Sequence, residues 1–120
     1  MNLLNFTQHD LQQRQIDEGF QELPTKYRLA VKALLDIDVS DREELENSIQ
    51  SSKYEIAAIA QRLEAHTVLI GGHPGLMIAL AKELKRRGIQ PVMAHSDRIS
   101  IDLPNGRKVS EFHHKFFYPV

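Results

Sequence analysis

The sequence predicts an α/β fold: a three-layer sandwich whose mostly parallel sheet ends in a C-terminal antiparallel β-hairpin. Three observations carry this. Thr67-Val68-Leu69-Ile70 is an apolar, β-branched run that enters Gly71-Gly72, and a helical pattern follows at once; a buried strand turning sharply into a helix reads this way. The stretch from Thr67 to Ala94 is a compact strand–helix–strand unit, for which a right-handed parallel crossover is the expected geometry. Near the end, two alternating segments flank Asn105-Gly106, the strongest short hairpin signal.

In chain order, Asn2 to Phe6 reads as a first strand. Thr7 or Asp10 could cap a short helix from Leu11 to Ile16, with Gly19 ending the turn after it. Pro24 suits a first helical position, and Tyr27, Val31, Leu34 and Leu35 recur at helical spacing to about Asp36. Ser40-Asp41-Arg42-Glu43 has the form of a capping box for a long amphipathic helix to about Glu64, with Ser51-Ser52 as a weak point within it. After the central strand, a helix from Pro74 to about Arg87 carries Leu76, Met77, Leu80, Ala81 and Leu84 on one side. Lys82, Lys85, Arg86 and Arg87 complement its dipole, and Gly88 stops it. Gln90 to Ala94 is a third strand ending at His95-Ser96-Asp97. The hairpin follows, with strands Arg98–Leu103 and Lys108–Phe112. The tail His113–Val120 is the most aromatic part of the chain and could cap the core or pair subunits, since an exposed Phe-Phe-Tyr patch is a liability on a monomer. The whole is a single Rossmann-like domain over residues 1–120.

Composition narrows the function. A formal net charge of -1 argues against bulk DNA binding, which needs a strongly basic face. With no cysteine, disulfides and thiolate chemistry are absent. No apolar run is long enough to span a bilayer, and Met1-Asn2-Leu3-Leu4-Asn5-Phe6 lacks the basic region of a signal peptide, so a cytoplasmic protein is expected.

Three strands end in a histidine: His9, His73 and His95. In an open parallel sheet, ligands bind outside the carboxyl ends of the strands, so all three rings are expected on one edge, with His66 on the other. Three chemistries compete there. The Gly71-Gly72 turn offers backbone donors and a helix N-terminus to a phosphate, with charge from Arg98, Lys115, His113 or His114, and a histidine can act as general acid or base on a phosphodiester. His9, His73 and His95 with Asp10 or Asp97 are suitable ligand types for a metal, but no compact spacing such as His-x-x-x-His supports it and none is assigned. Gly71-Gly72-His73-Pro74-Gly75 keeps part of a dinucleotide fingerprint, with Asp97 about 22 residues on as the ribose acid, but the chain has no room for a substrate domain and no cofactor is assigned.

Asn5-Phe6-Thr7-Gln8-His9, Ile70-Gly71-Gly72-His73-Pro74, Pro91-Val92-Met93-Ala94-His95-Ser96-Asp97-Arg98 and Lys108–Lys115 together resemble small stand-alone proteins of the CRISPR-associated Rossmann-fold (CARF) type. They look equally like a bacterial or prophage group of similar pattern. The CARF resemblance implies a homodimer that binds a cyclic oligoadenylate at the C-terminal edge of the strands; some small members cleave it without metal. The expected function is therefore binding of a nucleotide or cyclic oligonucleotide. Thr7, Gln8, Gly71, Gly72, His95, Ser96, Arg98 and Lys115 would bind it, and His73 and His9 would act in any phosphodiester cleavage. The alternative is a non-enzymatic structural or regulatory protein that self-associates through its aromatic tail.

Overall fold

A computed structural model describes residues 1–120. β1 (Leu3–Phe6) opens the chain. It is followed by α1 (Gln13–Asp17), β2 (Phe20–Gln21), α2 (Thr25–Leu35), α3 (Arg42–Arg62), β3 (Thr67–Ile70), α4 (Pro74–Arg86), β4 (Gln90–Asp102) and β5 (Lys108–Pro119). The five strands form one curled sheet in the order β2-β1-β3-β4-β5. The first four are parallel, with Leu4 opposite Val68 and Val68 opposite Pro91, and β5 runs antiparallel to β4.

The alternation of side chains across each strand builds two unequal cores. Leu4, Phe6, Val68 and Ile70 face α2, α3 and α4, whose Val31, Leu35, Ile56, Ala57, Ala60, Leu76, Leu80 and Leu84 complete the main cluster. The opposite face holds only Phe20, Leu69 and Val92 as buried apolar side chains, with Leu3, Leu11, Ala94 and Phe117 against them. The three long helices thus share one face. The second is covered by the thin α1 segment and by the curl that lays Phe117 of β5 on Phe20 of β2, ring centroids 4.4 Å apart.

Most elements lie where periodicity places them, and the departures have local causes. β2 is a two-residue bridge, too short to show any period. The third strand and the first hairpin strand are one strand, β4, which continues through a β-bulge between His95 and Ser96. The aromatic tail is the second half of β5 rather than a separate segment. α1 starts after Gln12, whose N–H is held by the Gln15 carboxamide at 2.9 Å, so neither Thr7 nor Asp10 caps it. The cap of α3 is shifted by one residue: Asp41 accepts from the Glu44 N–H at 2.8 Å, and the helix is continuous through Ser51-Ser52.

On α4, Glu83 is buried and binds Arg86 at 2.6 Å and Arg87 at 3.1 Å, and Arg87 reaches Gln61 of α3 at 2.9 Å. The Arg86 hydrogen bond does most to pull the Glu83 carboxyl down from 4.5 to about 2, against the opposing effect of burial. A depressed carboxylate stabilises the fold above its unfolded pKa, and that contribution is lost as pH falls through the folded value. Glu83→Gln should therefore be less stable than wild type above pH 4.5, by a constant margin, and the margin should close as pH falls toward about 2; urea melts across that window check it.

Candidate functional site

β1 and β3 lie side by side and end level, Phe6 opposite Ile70. From there the chain leaves β1 toward β2 and leaves β3 toward β4, on opposite sides of the pair. Diverging loops at such a switch point leave a crevice. A cavity of about 500 Å3 sits there. Leu69, Ile70, Met93 and Ala94 give it an apolar floor, and the loop Thr7–Asp10, the Gly71-Gly72 elbow, Gln12, Gln15, Ser96 and Phe112 give it walls.

The loop after β1 is held by a polar network that begins inside the strand. Asn5 is buried. Its Oδ1 accepts from the Thr7 hydroxyl at 2.7 Å and the Thr7 N–H at 3.1 Å. Its Nδ2 donates to the His9 carbonyl at 2.8 Å and to Glu22 at 2.6 Å. Glu22 also accepts from the Leu11 N–H at 3.1 Å, and Arg28 bridges Glu22 and Asp10. These bonds fix the backbone while leaving the His9 ring in none of the hydrogen bonds and exposed at the rim. Gln8 donates to the Lys32 carbonyl at 3.3 Å, and its own side-chain oxygen makes no hydrogen bond.

The elbow brings the second wall close. A Cβ on Gly71 would stand 3.5 Å from Thr7 Cγ2, so the two loops are in contact distance. Gly72 has φ +153, a conformation that side chains disfavour. Gly72→Ala should cost about 1–3 kcal/mol, measured by denaturant unfolding.

His73 does not line this cavity. It caps α4, its Nδ1 accepting from the Gly75 N–H at 3.1 Å. Pro74 has no N–H and the Gly75 N–H is taken, so the first two helical positions offer an anion nothing. His95 is exposed on β4 opposite Phe116 of β5, stacked on that ring with centroids 4.9 Å apart. Of the three expected imidazoles, then, only His9 lines the cavity; one residue's cap and one aromatic stack claim the others. Thr7, Gln8, Gly71, Gly72 and Ser96 are brought together there. Arg98 lies just outside, directly across from Phe112 on the β4–β5 ribbon. Lys115 lines a neighbouring hollow of about 440 Å3 with Arg14 and His113, and its ammonium pairs with Asp97 at 3.0 Å. That pairing also occupies the acid expected at a ribose. No three His, Asp or Glu side chains gather closely enough to hold a metal ion.

Gln12, Gln15 and Phe112 went unrecognised in the sequence, as did Asn5 as an organiser. Gln12 bridges the cavity and the hollow: it accepts from the His114 N–H at 3.0 Å and donates to the Phe112 carbonyl at 3.2 Å. His114 is buried, its Nε2 on Glu18 at 2.9 Å and its Nδ1 3.4 Å from the Gln15 amide. The one signal available was a lone asparagine inside the apolar run of β1.

No helix is long and apolar enough to cross a membrane. No curated protein and no solved structure matches the chain. A family model matches residues 1–118, and over that span the chain belongs to the Uncharacterized protein MJ1673 family.

Proposed function

We propose that the cavity at the β1/β3 switch point binds an adenine nucleotide or a short oligoadenylate, cyclic or linear, in a Rossmann-like setting. The observation that supports this is the combination of an apolar floor, an exposed aromatic wall and unspent polar groups in one crevice. Phe112 is 62% exposed and offers a face for a base to stack on. The Gln8 carbonyl and the Ser96 hydroxyl are available to read its polar edge. No lysine or arginine lines the cavity itself, which favours the nucleoside inside and the phosphate outside, toward Arg98 beside Phe112. The nucleoside, rather than the phosphate, then lies against the Gly71-Gly72 elbow.

The test is thermal denaturation with adenosine, AMP and linear and cyclic oligoadenylates, since a ligand that binds only the native state raises the melting temperature. A flat response across the panel removes the proposal. Phe112→Ala should weaken binding by about 1–3 kcal/mol, roughly 5- to 150-fold, with little change in the melting temperature of the free protein. Arg98→Ala should weaken phosphorylated ligands and spare adenosine.

Cleavage is the second reading, favoured by His9, the one imidazole at the rim. It would take the proton of a 2′-hydroxyl as that oxygen attacks the adjoining phosphorus, the P–O5′ bond breaks to leave a 2′,3′-cyclic phosphate, and the departing 5′-oxygen takes a proton back from the imidazolium or from water. His9→Ala would then abolish turnover with binding retained; turnover undiminished in that variant removes His9 from the reaction.

A further inference from the structure

We propose that a second copy of this chain docks along the free edge of β4, pairing Arg98–Asp102 antiparallel with itself about a two-fold axis at Ser100. β4 outruns the sheet: its ladder with β3 ends at Leu69 and Val92, so from there on it has only β5 beside it. Two-stranded ribbons are marginal alone in water, and an open edge is a template for another strand. The outer edge of β5 is already occupied where Gln12 and Arg14 bond the backbone of Phe112 and His114. Nothing covers the edge of β4 at residues 98–102, all exposed.

The backbone is set for this pairing. The Leu103 N–H points at β5, donating to the Arg107 carbonyl at 2.7 Å. Alternation then directs the N–H and C=O groups of Asp102, Ser100 and Arg98 outward, toward a partner. The side chains agree. Arg98-Ile99-Ser100-Ile101-Asp102 reversed keeps its apolar pattern and exchanges its charges. In antiparallel register about Ser100, Arg98 faces the partner's Asp102 at both ends and Ile99 faces the partner's Ile101. Opposite charges and β-branched residues in direct cross-strand positions stabilise a sheet. Ile99, Ile101 and Val109, now 40%, 37% and 38% exposed on one face of the ribbon, would join their counterparts in one apolar strip. The ladder stops at Pro104, which has no N–H to give and would fall opposite Ser96 of the other copy, at the cavity rim. The edge of β5 lacks this self-complementarity: about Ser110, Lys108 would face Phe112 and Val109 would face Glu111.

Sedimentation equilibrium of the full chain, from low to high micromolar concentration and without any ligand, tests the proposal. Wild type should have twice the 13.7 kDa of one chain. Ser100→Pro should be monomeric with an unchanged far-UV spectrum, because the N–H it removes points away from β5. Arg98→Asp should also be monomeric, and Arg98→Asp with Asp102→Arg should restore the dimer. A monomeric wild type, a dimer that survives Ser100→Pro, or a charge swap that fails to restore association would each overturn the proposal. A dimer indifferent to Ser100→Pro but lost on Phe116→Asp would assign the interface to the aromatic face of β5 instead.

Discussion

Asn5→Leu should lower stability by about 2–4 kcal/mol and remove ligand binding with it. Leucine is close in size and would suit a strand otherwise made of Leu3, Leu4 and Phe6, so hydrophobicity alone predicts a harmless change. The hydrogen bonds predict the opposite. Thr7, His9 and Glu22 would each lose the bond to Asn5, leaving Thr7 and His9 only the bonds between themselves. The Glu22 carboxylate would keep only the Leu11 N–H and Arg28. Urea unfolding measures the first effect, and the nucleotide panel, below the new melting temperature, measures the second. Asn5→Asp separates size from charge. It keeps the acceptor for Thr7 but sets a carboxylate against Glu22 where 2.6 Å now separates donor from acceptor. Two acids so close share a proton and resist ionising together. Asn5→Asp should therefore regain stability as pH falls through the carboxylate range, whereas Asn5→Leu should not. A pH-independent deficit in Asn5→Asp would show that Glu22 does not press on this position.

Leu80→Ala should cost about 2–5 kcal/mol, and Ile78→Ala on the same helix less than about 0.5 kcal/mol. Leu80 has no exposed surface and lies in the main cluster, while Ile78 is 62% exposed. The contrast matters to the site because α4 seats the elbow: Met77 and Leu35 are the side chains nearest a Cβ on Gly72. Loss of packing beneath α4 should loosen Gly71-Gly72 before the sheet opens, visible as faster amide exchange at the elbow in Leu80→Ala than in Ile78→Ala. Equal destabilisation by the two variants would contradict the burial of α4.

The mostly parallel sheet, the antiparallel C-terminal pair and the four helices were all legible in the sequence, since each is announced by local chemistry. Thr67–Ile70 is apolar on both faces because both faces are covered. Pro74 opens α4 and Gly88, at φ +77, closes it. Asn105-Gly106 turns the hairpin, with Asn105 accepting from the Arg107 N–H at 3.0 Å. The Gly71-Gly72 elbow, and its place on the same edge as Thr7 and Gln8, followed from each lying just past the carboxyl end of a parallel strand.

The side-chain destinations were not legible in the same way. His73 and His95 follow strands just as His9 does, yet one caps a helix and the other stacks on a ring. His113 and His114 are neighbours, and only His114 is buried, because alternation along β5 sends its ring to Gln15 and Glu18 and sends His113 to the other face. Composition and periodicity by themselves determined the helices and most of the strands, which depend on neighbours a few residues away, but not β2 or the second half of β5. The tertiary structure alone decided which polar groups meet at the cavity and which are consumed elsewhere. Register and sheet curvature arise from contacts between residues about a hundred positions apart, and a shift of one residue would send each side chain to the opposite face.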